Sequence, residues 1–326
     1  MIYVNDGHIR EIGVDWEQLI HVIEDVVRIK DAGDCVNPLK PYLRFHESMN
    51  RIIAMPAFVG GSYQMAGIKW IASFPNNTHI GLPRAHNTII LNRPDTGEPI
   101  AFFESRLLNG IRTAAVSGLM LRCYLAQRRL VKLQIGIIGW GPVGRLHLDM
   151  CFKIWGDHID RITLYDIRSI DPNTIPAHVK AITVIADDWR SVYRESNVFI
   201  TCTVSSERYI NEKPQAGALL INVSLRDYIV DYVAQVKAIV VDDWLEVCRE
   251  NTDIEQLHQS YGLIESDTCT ITDVLCHNRL AAYACNEPVY VNPMGLAIFD
   301  IGIATFYLRE AYLRKKGVML ENAYEF

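Results

Sequence analysis

The chain has 326 residues, of which 49% are hydrophobic and 21% charged, and its formal net charge is −6 at pH 7. These values are ordinary for a globular protein long enough to form two domains. The negative balance argues against nucleic acid as the main partner, because no basic stripe would offset phosphate repulsion. No apolar stretch approaches bilayer length, and residues 1–6 do not resemble a signal peptide, so we expect a cytoplasmic protein without membrane contact.

Eight cysteines are spread along the chain, and none forms a C-x-x-C pair. Cys269, Cys276, His277 and Cys285 come nearest to a cluster, but their spacing matches no standard zinc site. We therefore expect reduced structural thiols and no metal.

The first 110 residues predict a helix followed by a sheet. A helical stretch covers about 15–30, and short alternating apolar runs follow, separated by turns rich in Gly, Pro and Asn. These runs lie at 51–55, 67–72, 88–91 and 100–103. They predict an antiparallel sheet, and a helix over about 107–128 connects it to the next part of the chain.

Lys69 is a lone ammonium group inside the apolar run 66–72. Burial of a lysine is costly unless an anion meets it, and it lowers the pKa towards the range useful for acid–base chemistry. Successive strand residues face opposite sides, however, so a lysine that points outward fits this run equally well.

Four further residues are candidates for binding an anion. Lys40 and Arg44 lie in a proline-stiffened segment and would face the same side of a regular strand, where they suit carboxylates. Arg112 and Thr113 follow Asn-Gly near a predicted helix start, another favourable place for an anion. The alternative interpretation is that Lys40, Arg44 and Arg112 are charged surface residues exposed to solvent.

The run 133–138 is a predicted buried strand that leads into glycines with G-x-G-x-x-G spacing. Gly139 permits a tight turn, Gly141 lets a pyrophosphate approach the backbone, and Gly144 lets helix and strand pack closely. Asp166 ends the next predicted strand, about 20 residues further on, where a carboxylate binds the ribose of NAD. The predicted cofactor turn comprises Gly139, Trp140, Gly141, Pro142, Val143 and Gly144.

Further apolar runs continue in the rhythm of a doubly wound parallel sheet, in which ligands bind beyond the carboxyl ends of the strands. The runs lie at 181–186, 197–204, 217–224 and 238–243. Cofactor contacts are therefore expected from Cys202, Thr203, Asn222 and Ser224. Asp227 lies just past one strand end and is a candidate catalytic acid or base, although loop aspartates are also common caps.

Met294 and Gly295 lie where a last predicted helix, over 295–316, begins, and the glycine would let the backbone approach a ligand. We predict a Rossmann domain over 116–304, inserted into a second α+β domain formed by 1–115 and 305–326.

The chain resembles the ornithine cyclodeaminase/mu-crystallin family over nearly its whole length. The resemblance rests on Arg44, Gly67-Ile-Lys-Trp70, Arg112-Thr-Ala-Ala115, the glycine turn and Gly295-Leu-Ala-Ile-Phe-Asp300. It implies substrate contacts from Lys69 and Arg44, cofactor or substrate contacts from Arg112 and Thr113, and a homodimer built through the amino-terminal antiparallel sheets. Asp166 favours NAD as the cofactor because a carboxylate would repel a 2′-phosphate, while Arg168, two residues further on, leaves NADP as the alternative. One departure concerns Asp227, because Asn222-Val-Ser-Leu-Arg-Asp227 stands where cyclodeaminases carry a Gly-Gly-Asp-x-Pro-Gly loop with their acid–base aspartate.

Longer strings, such as 38–44 and 240–244, resemble one branch of the family. That branch oxidises N-(2-amino-2-carboxyethyl)-L-glutamate to 2-oxoglutarate and 2,3-diaminopropionate during siderophore biosynthesis. The resemblance implies an oxidoreductase whose substrate has several carboxylates. Our hypothesis for the site places Lys40, Arg44, Lys69, Arg112, Met294 and Gly295 at the substrate and Lys69 and Asp227 in catalysis. The alternatives are a cyclodeaminase-type lyase, a ketimine reductase or amino-acid dehydrogenase, and a non-catalytic dinucleotide-dependent binder.

Overall fold

A computed structural model describes residues 1–46, 50–128 and 132–321 of the chain. The chain divides into two compact units. The first comprises Met1–Arg112 and a segment that begins at Gly295, and the second is Thr113–Met294. The chain therefore returns to the first unit between Met294 and Gly295, before the last helix. The predicted boundary, between 304 and 305, lies inside that helix.

The first unit contains one mixed sheet. Its strands are β1 (Ile2–Asn5), β2 (Cys35–Val36), β3 (Tyr42–Arg44), β4 (Arg51–Val59), β5 (Met65–Ser73), β6 (Ala85–Asn92), β7 (Pro99–Glu104) and β16 (Val318–Met319). Their order is β16-β1-β7-β6-β5-β4-β2, with β3 paired to β4. Every pair is antiparallel except β1 with β7. The predicted antiparallel sheet is confirmed, with one parallel pair added by the first strand.

Helix α9 (Ala297–Leu313) packs on this sheet, and α1 (Asp6–Ile12) and α2 (Trp16–Asp31) pack against α9. Helix α3 (Arg106–Gln127) begins in this unit. Helix α9 is buried on nearly all sides, since it lies between α2 and strands β4, β5 and β6. A Cβ atom at Gly302 would lie 2.7 Å from Val26, so the glycine permits the close approach of α9 to α2.

The second unit is a doubly wound α/β domain. Its strands are β8 (Leu133–Ile138), β9 (Ile159–Tyr165), β10 (Thr183–Ile185), β11 (Val198–Thr201), β12 (Leu219–Asn222), β13 (Ala238–Val241), β14 (Cys269–Thr270) and β15 (Val289–Asn292). They form one parallel sheet in the order β10-β9-β8-β11-β12-β15-β13-β14. The predicted Rossmann-type sheet is confirmed.

The chain winds in opposite directions from β8, with β9 on one side and β11 on the other. Ligands bind at such a reversal, beyond the carboxyl ends of the strands. The helices of this unit, besides the rest of α3, are α4 (Pro142–Trp155), α5 (Trp189–Glu195), α6 (Trp244–Val247), α7 (Asp253–Tyr261) and α8 (Ile271–Cys276). Within the described ranges, no helix is both long and apolar enough to cross a membrane.

Candidate active site

Lys69 lies in the middle of β5, on the face of the sheet that α9 covers. Its cross-strand neighbours are Met55 and Ile89, and its side chain is 1% exposed. Gly67 shares this face, where an added Cβ would lie 2.8 Å from Ile301 of α9. The buried alternative for Lys69 is therefore the one that the structure shows.

Asp300 supplies the anion that this lysine needs. It lies in the first turn of α9 and is 2% exposed. Lys69 Nζ donates to Asp300 Oδ1 at 3.0 Å, and Arg112 Nε donates to the same oxygen at 3.0 Å. The second oxygen, Oδ2, is buried and has no hydrogen-bond partner among the described residues. Two cations thus share one oxygen of one carboxylate.

Asn109 and Gly295 complete this group. Asn109 lies one turn before Arg112 on α3, and its Oδ1 accepts hydrogen bonds from Lys69 Nζ at 2.5 Å and from Arg112 Nη2 at 3.3 Å. Gly295 has a φ of +88°, and an added Cβ would lie 2.4 Å from Arg112 Nη1. Only glycine therefore fits against this guanidinium.

Lys40 is a third cation of this group, because it contacts Gly295. It is 5% exposed, and its Nζ donates to the backbone oxygen of Gly295 at 2.9 Å. We call Lys40, Lys69, Asn109, Arg112, Gly295 and Asp300 the charged cluster. The sequence predicted Lys40, Lys69, Arg112 and Gly295, and the structure brings these four residues together.

Burial and neighbouring charges shift the pKa values of Lys69 and Asp300. Burial lowers the pKa of Lys69 to about 8; Asp300 opposes this shift, while Arg112 and Lys40 reinforce it. Burial alone would raise the pKa of Asp300, but Arg112 and Lys69 outweigh it and hold that pKa below its usual value. Asp300 is therefore a carboxylate at neutral pH, and Lys69 can gain or lose a proton there.

Three other predicted residues lie outside the charged cluster. Arg44 ends β3 and is exposed, with its guanidinium 5.4 Å from the centre of the Tyr42 ring. Thr113 belongs to the second unit, where its backbone oxygen accepts a hydrogen bond from Ser117. Met294 also belongs to the second unit, where its backbone nitrogen donates to Asp242.

The glycine turn of the second unit has the geometry that a dinucleotide requires. Gly139 has a φ of +96°, and an added Cβ would lie 2.6 Å from the backbone oxygen of Cys202. A Cβ at Gly144 would lie 2.0 Å from the backbone oxygen of Gly139. A Cβ at Gly141, by contrast, would meet nothing within 4 Å, so the turn is open where a pyrophosphate would lie. Gly141 also precedes α4, whose free N–H groups favour phosphate.

Asp166 follows β9 and lies against this turn. Its Oδ2 accepts a hydrogen bond from the backbone nitrogen of Trp140 at 2.8 Å, and its Oδ1 accepts one from the backbone nitrogen of Arg168 at 2.9 Å. A carboxylate here suits the ribose hydroxyls of NAD and repels a 2′-phosphate. The residues present therefore fit NAD.

Asp227 is fully buried in the second unit. Its carboxylate accepts hydrogen bonds from Thr203 and Ser224 at 2.6 Å and from Tyr209 at 3.3 Å. Burial raises the pKa of Asp227, although these hydroxyl groups partly offset the shift. A proton shuttle needs access to substrate or water, so this placement does not support the catalytic role expected for Asp227.

Asn222 is likewise buried, and its side chain is used within the unit. Its amide donates to Asp253, Tyr290 and Asn292 at 2.8–2.9 Å, and its Oδ1 accepts from the backbone nitrogen of Leu225. The side chains of Asn222, Thr203 and Ser224 therefore brace the loops after β11 and β12. Contacts with a cofactor would come from the backbone of these loops.

The comparisons with known proteins agree with this architecture. The model of the ornithine cyclodeaminase/mu-crystallin family matches residues 8–316. The chain belongs to this family. N-((2S)-2-amino-2-carboxyethyl)-L-glutamate dehydrogenase of Staphylococcus aureus is 32% identical over 98% of both chains.

Solved structures match the whole fold. Δ1-pyrroline-2-carboxylate reductase of Thermococcus litoralis, in complex with NADH and L-proline, superposes with a TM-score of 0.87 over 98% of this chain and all of that one, at 21% identity. An archaeal alanine dehydrogenase dimer with bound NAD gives a TM-score of 0.83 over 98% and 99% of the two chains, also at 21% identity. Family membership and the dinucleotide site together make the protein an NAD-dependent oxidoreductase.

Sequence reasoning missed two members of the charged cluster, Asn109 and Asp300. Asp300 had a signal, because it is the only charged residue in the apolar run 297–308, just as Lys69 is a lone ammonium in an apolar strand. Asn109 had none, since an asparagine near a helix start is most simply a cap.

Proposed function

We propose that this protein catalyses the NAD-dependent oxidative cleavage of N-(2-amino-2-carboxyethyl)-L-glutamate to 2-oxoglutarate and L-2,3-diaminopropionate. The observation that carries the proposal is the charged cluster, in which Lys69 and Arg112 share a single carboxylate oxygen of Asp300. The excess positive charge is buried and suits a substrate with several carboxylates. The relative in Staphylococcus aureus, similar along the whole chain, supports this substrate.

The reaction balances with NAD and water as the only further reactants. The secondary amine loses a proton and the glutamate α-carbon loses a hydride, which leaves a carbon–nitrogen double bond. Bound NAD would supply the acceptor for that hydride. Water then adds to the imine carbon, and the carbon–nitrogen bond breaks to release the ketone of 2-oxoglutarate and the amine of 2,3-diaminopropionate.

Lys69 is the proposed acid–base group. With a pKa near 8 it is partly neutral at physiological pH, so it can accept the proton that the amine or the attacking water gives up. Arg112 binds the carboxylate beside the reacting carbon, and Lys40 binds a second carboxylate. Asp300 holds Lys69 and Arg112 in place, and Asp227 braces the loops of the second unit without touching the substrate.

NAD would be held by the predicted turn and its surroundings. The backbone at Gly141 and the start of α4 would bind the pyrophosphate, and Asp166 would bind the ribose. The backbone at Cys202 and Thr203 would line the remaining part of the site, next to Gly139. The resemblance of the longer sequence strings supports siderophore or other specialised-metabolite biosynthesis as the use of the product.

A homodimer through the sheet of the first unit is part of the proposal. The face of this sheet away from α9 carries apolar residues on adjacent strands, and Trp70 in the middle of it is 42% exposed. Its strand partners on that face include Ala54 and Thr88. Apolar surface of this kind marks a protein interface, and the archaeal alanine dehydrogenase of the same fold is a dimer.

A nicotinamide absorbance assay with product identification tests the proposal. The purified protein is mixed with NAD and N-(2-amino-2-carboxyethyl)-L-glutamate, ornithine, lysine or alanine in parallel. We expect NADH to accumulate only with the first compound, together with equal amounts of 2-oxoglutarate and 2,3-diaminopropionate. NADH formed only with alanine would make the protein an amino-acid dehydrogenase, and a cyclic product from ornithine without net NADH would make it a cyclodeaminase.

A further inference from the structure

Asp253 is a fully buried carboxylate of the second unit that pairs with an arginine. It is the first residue of α7. Its Oδ1 accepts a hydrogen bond from Arg208 Nε at 2.6 Å, and the same guanidinium donates to the backbone oxygen of Asn251 at 2.7 Å. Arg208 belongs to the loop that follows β11, so this ion pair joins that loop to the start of α7.

The other oxygen of Asp253 ties two neighbouring strands together. Oδ2 accepts hydrogen bonds from Asn222 Nδ2 at 2.9 Å and from Tyr290 OH at 3.2 Å. Asn222 is the last residue of β12, and Tyr290 lies in β15, which pairs with β12. The backbone nitrogen of Tyr228, in the loop after β12, donates to the same oxygen at 3.1 Å. A buried carboxylate is costly unless it is paired and hydrogen-bonded, and Asp253 meets both conditions.

Leu225 shows how firmly the loop after β12 is held. Its φ is +66°, in the left-handed region that a residue with a side chain adopts only when its surroundings impose it. The backbone nitrogen of Leu225 donates to Asn222 Oδ1 at 3.0 Å, and its backbone oxygen accepts from the backbone nitrogen of Asp253 at 2.8 Å. Asp253 therefore fixes this turn both directly and through the orientation of the Asn222 amide.

The amide of Asn222 also connects this network to the glycine turn. Its Oδ1 accepts a hydrogen bond at 3.1 Å from Thr201 Oγ1, at the last residue of β11. The next residue, Cys202, donates its backbone nitrogen to the backbone oxygen of Ile138 at 2.7 Å. The backbone oxygen of Cys202 lies against Gly139, where an added Cβ would be 2.6 Å away. Continuous contacts therefore lead from the buried ion pair to the glycine turn.

We propose that Asp253 is a positioning residue for NAD, which orients the loops after β11 and β12 without touching the cofactor. Its carboxylate suits this role because it only accepts hydrogen bonds. An amide of the same shape would present a donor to Arg208 or to Asn222, which are donors themselves. The inference requires only that the protein binds NAD, and it does not depend on which substrate the enzyme oxidises.

Titration with NADH tests this assignment. Asp253→Asn should weaken NADH binding about 10- to 100-fold, because one acceptor oxygen becomes a donor and the two loops lose their fixed arrangement. Fluorescence titration gives both the dissociation constant and the number of binding sites per chain. A merely structural role would lower the number of sites, because part of the protein would be unfolded, and would leave the dissociation constant of the folded part unchanged.

Two further variants serve as the second test and the control. Arg208→Gln removes the cation and leaves Asp253 its other donors, so NADH binding should weaken about 3- to 10-fold. Arg194→Gln removes an exposed arginine of the same unit, paired with Glu212, and should leave binding unchanged. An unchanged dissociation constant in Asp253→Asn would overturn the proposal; if that variant does not fold, an unchanged constant in Arg208→Gln would overturn it instead.

Discussion

Two buried aspartates, one in each unit, show how different partners give the same side chain different properties. Asp300 accepts hydrogen bonds from the cations Lys69 and Arg112, and its pKa lies below the usual value. Asp227 accepts hydrogen bonds from neutral hydroxyl groups, and burial raises its pKa. Opposite charges offset the cost of burying a carboxylate, whereas hydroxyl groups offset it only in part. Asp300 therefore belongs to an ionic site, and Asp227 to a structural network.

The largest effect should follow from Asp300→Asn. The change leaves Lys69 and Arg112 buried together without an anion, so the free energy of unfolding should fall by about 3–5 kcal/mol and kcat/KM by at least about 100-fold. Chemical denaturation and steady-state kinetics measure the two effects. Glu310→Gln is the control on the same helix, since it removes only a surface pair with Arg314 and should cost less than about 1 kcal/mol. A variant at Asp300 that behaves like this control would contradict the assignment.

Asp166→Ser should change the choice of cofactor. The loss of the carboxylate removes hydrogen bonds to the ribose and the repulsion of a 2′-phosphate, while the exposed Arg168 becomes available to a phosphate. We expect KM for NAD to rise about 10- to 100-fold and activity with NADP to appear. Asp171→Asn, in the exposed loop nearby, should alter neither value. An unchanged preference for NAD would remove Asp166 from the ribose site.

Trp70→Glu should weaken the proposed dimer without disturbing either aspartate. A buried charge in place of a central tryptophan costs at least about 2 kcal/mol at an interface, which is roughly a 30-fold rise in the dissociation constant. Sedimentation across a range of concentrations measures it, with Leu245→Glu, an exposed position in the second unit, as the control. Equal dimerisation by both variants would exclude this sheet face.

Asp227→Asn should have the smallest effect and so sharpen the contrast with Asp300. Because the pKa of Asp227 is raised in the folded protein, its ionisation lowers the free energy of unfolding at neutral pH. This loss of stability decreases as the pH falls through the folded-state pKa, and it is absent below the pKa that the group has in the unfolded chain. An amide of the same shape should therefore change the free energy of unfolding at pH 7 by no more than about 1 kcal/mol. The pH profile of kcat/KM should also keep its shape. Loss of the limb on which kcat/KM rises with pH would restore Asp227 as the proton acceptor.

Local patterns in the sequence were sufficient to predict much of the fold. Strand periodicity predicted both sheets, and the spacing of Gly139, Gly141 and Gly144 predicted a turn whose close contacts the structure shows. Lys69 was recognisable because a charged residue interrupted an apolar run. Such features depend on neighbouring residues, so they can be read without knowing the tertiary contacts.

The remainder of the site depends on contacts between distant residues. Lys69 and Asp300 are 231 residues apart, and only the packing of α9 on β5 brings them together. The same sequence rule that marked Asp227, a carboxylate just past a strand end, could not reveal that hydroxyl groups from two loops enclose it.

The most direct test of the central claim is the pH dependence of kcat/KM for oxidation of the full substrate by the wild type and by Lys69→Arg. Lys69 of the free enzyme has a pKa of about 8, so activity of the wild type should rise with pH and level off above that value. Arginine keeps the positive charge beside Asp300 but does not lose its proton, so the variant should bind substrate, lose most of its turnover and show no limb near pH 8. The same limb in both proteins would contradict the assignment of Lys69 as the acid–base group.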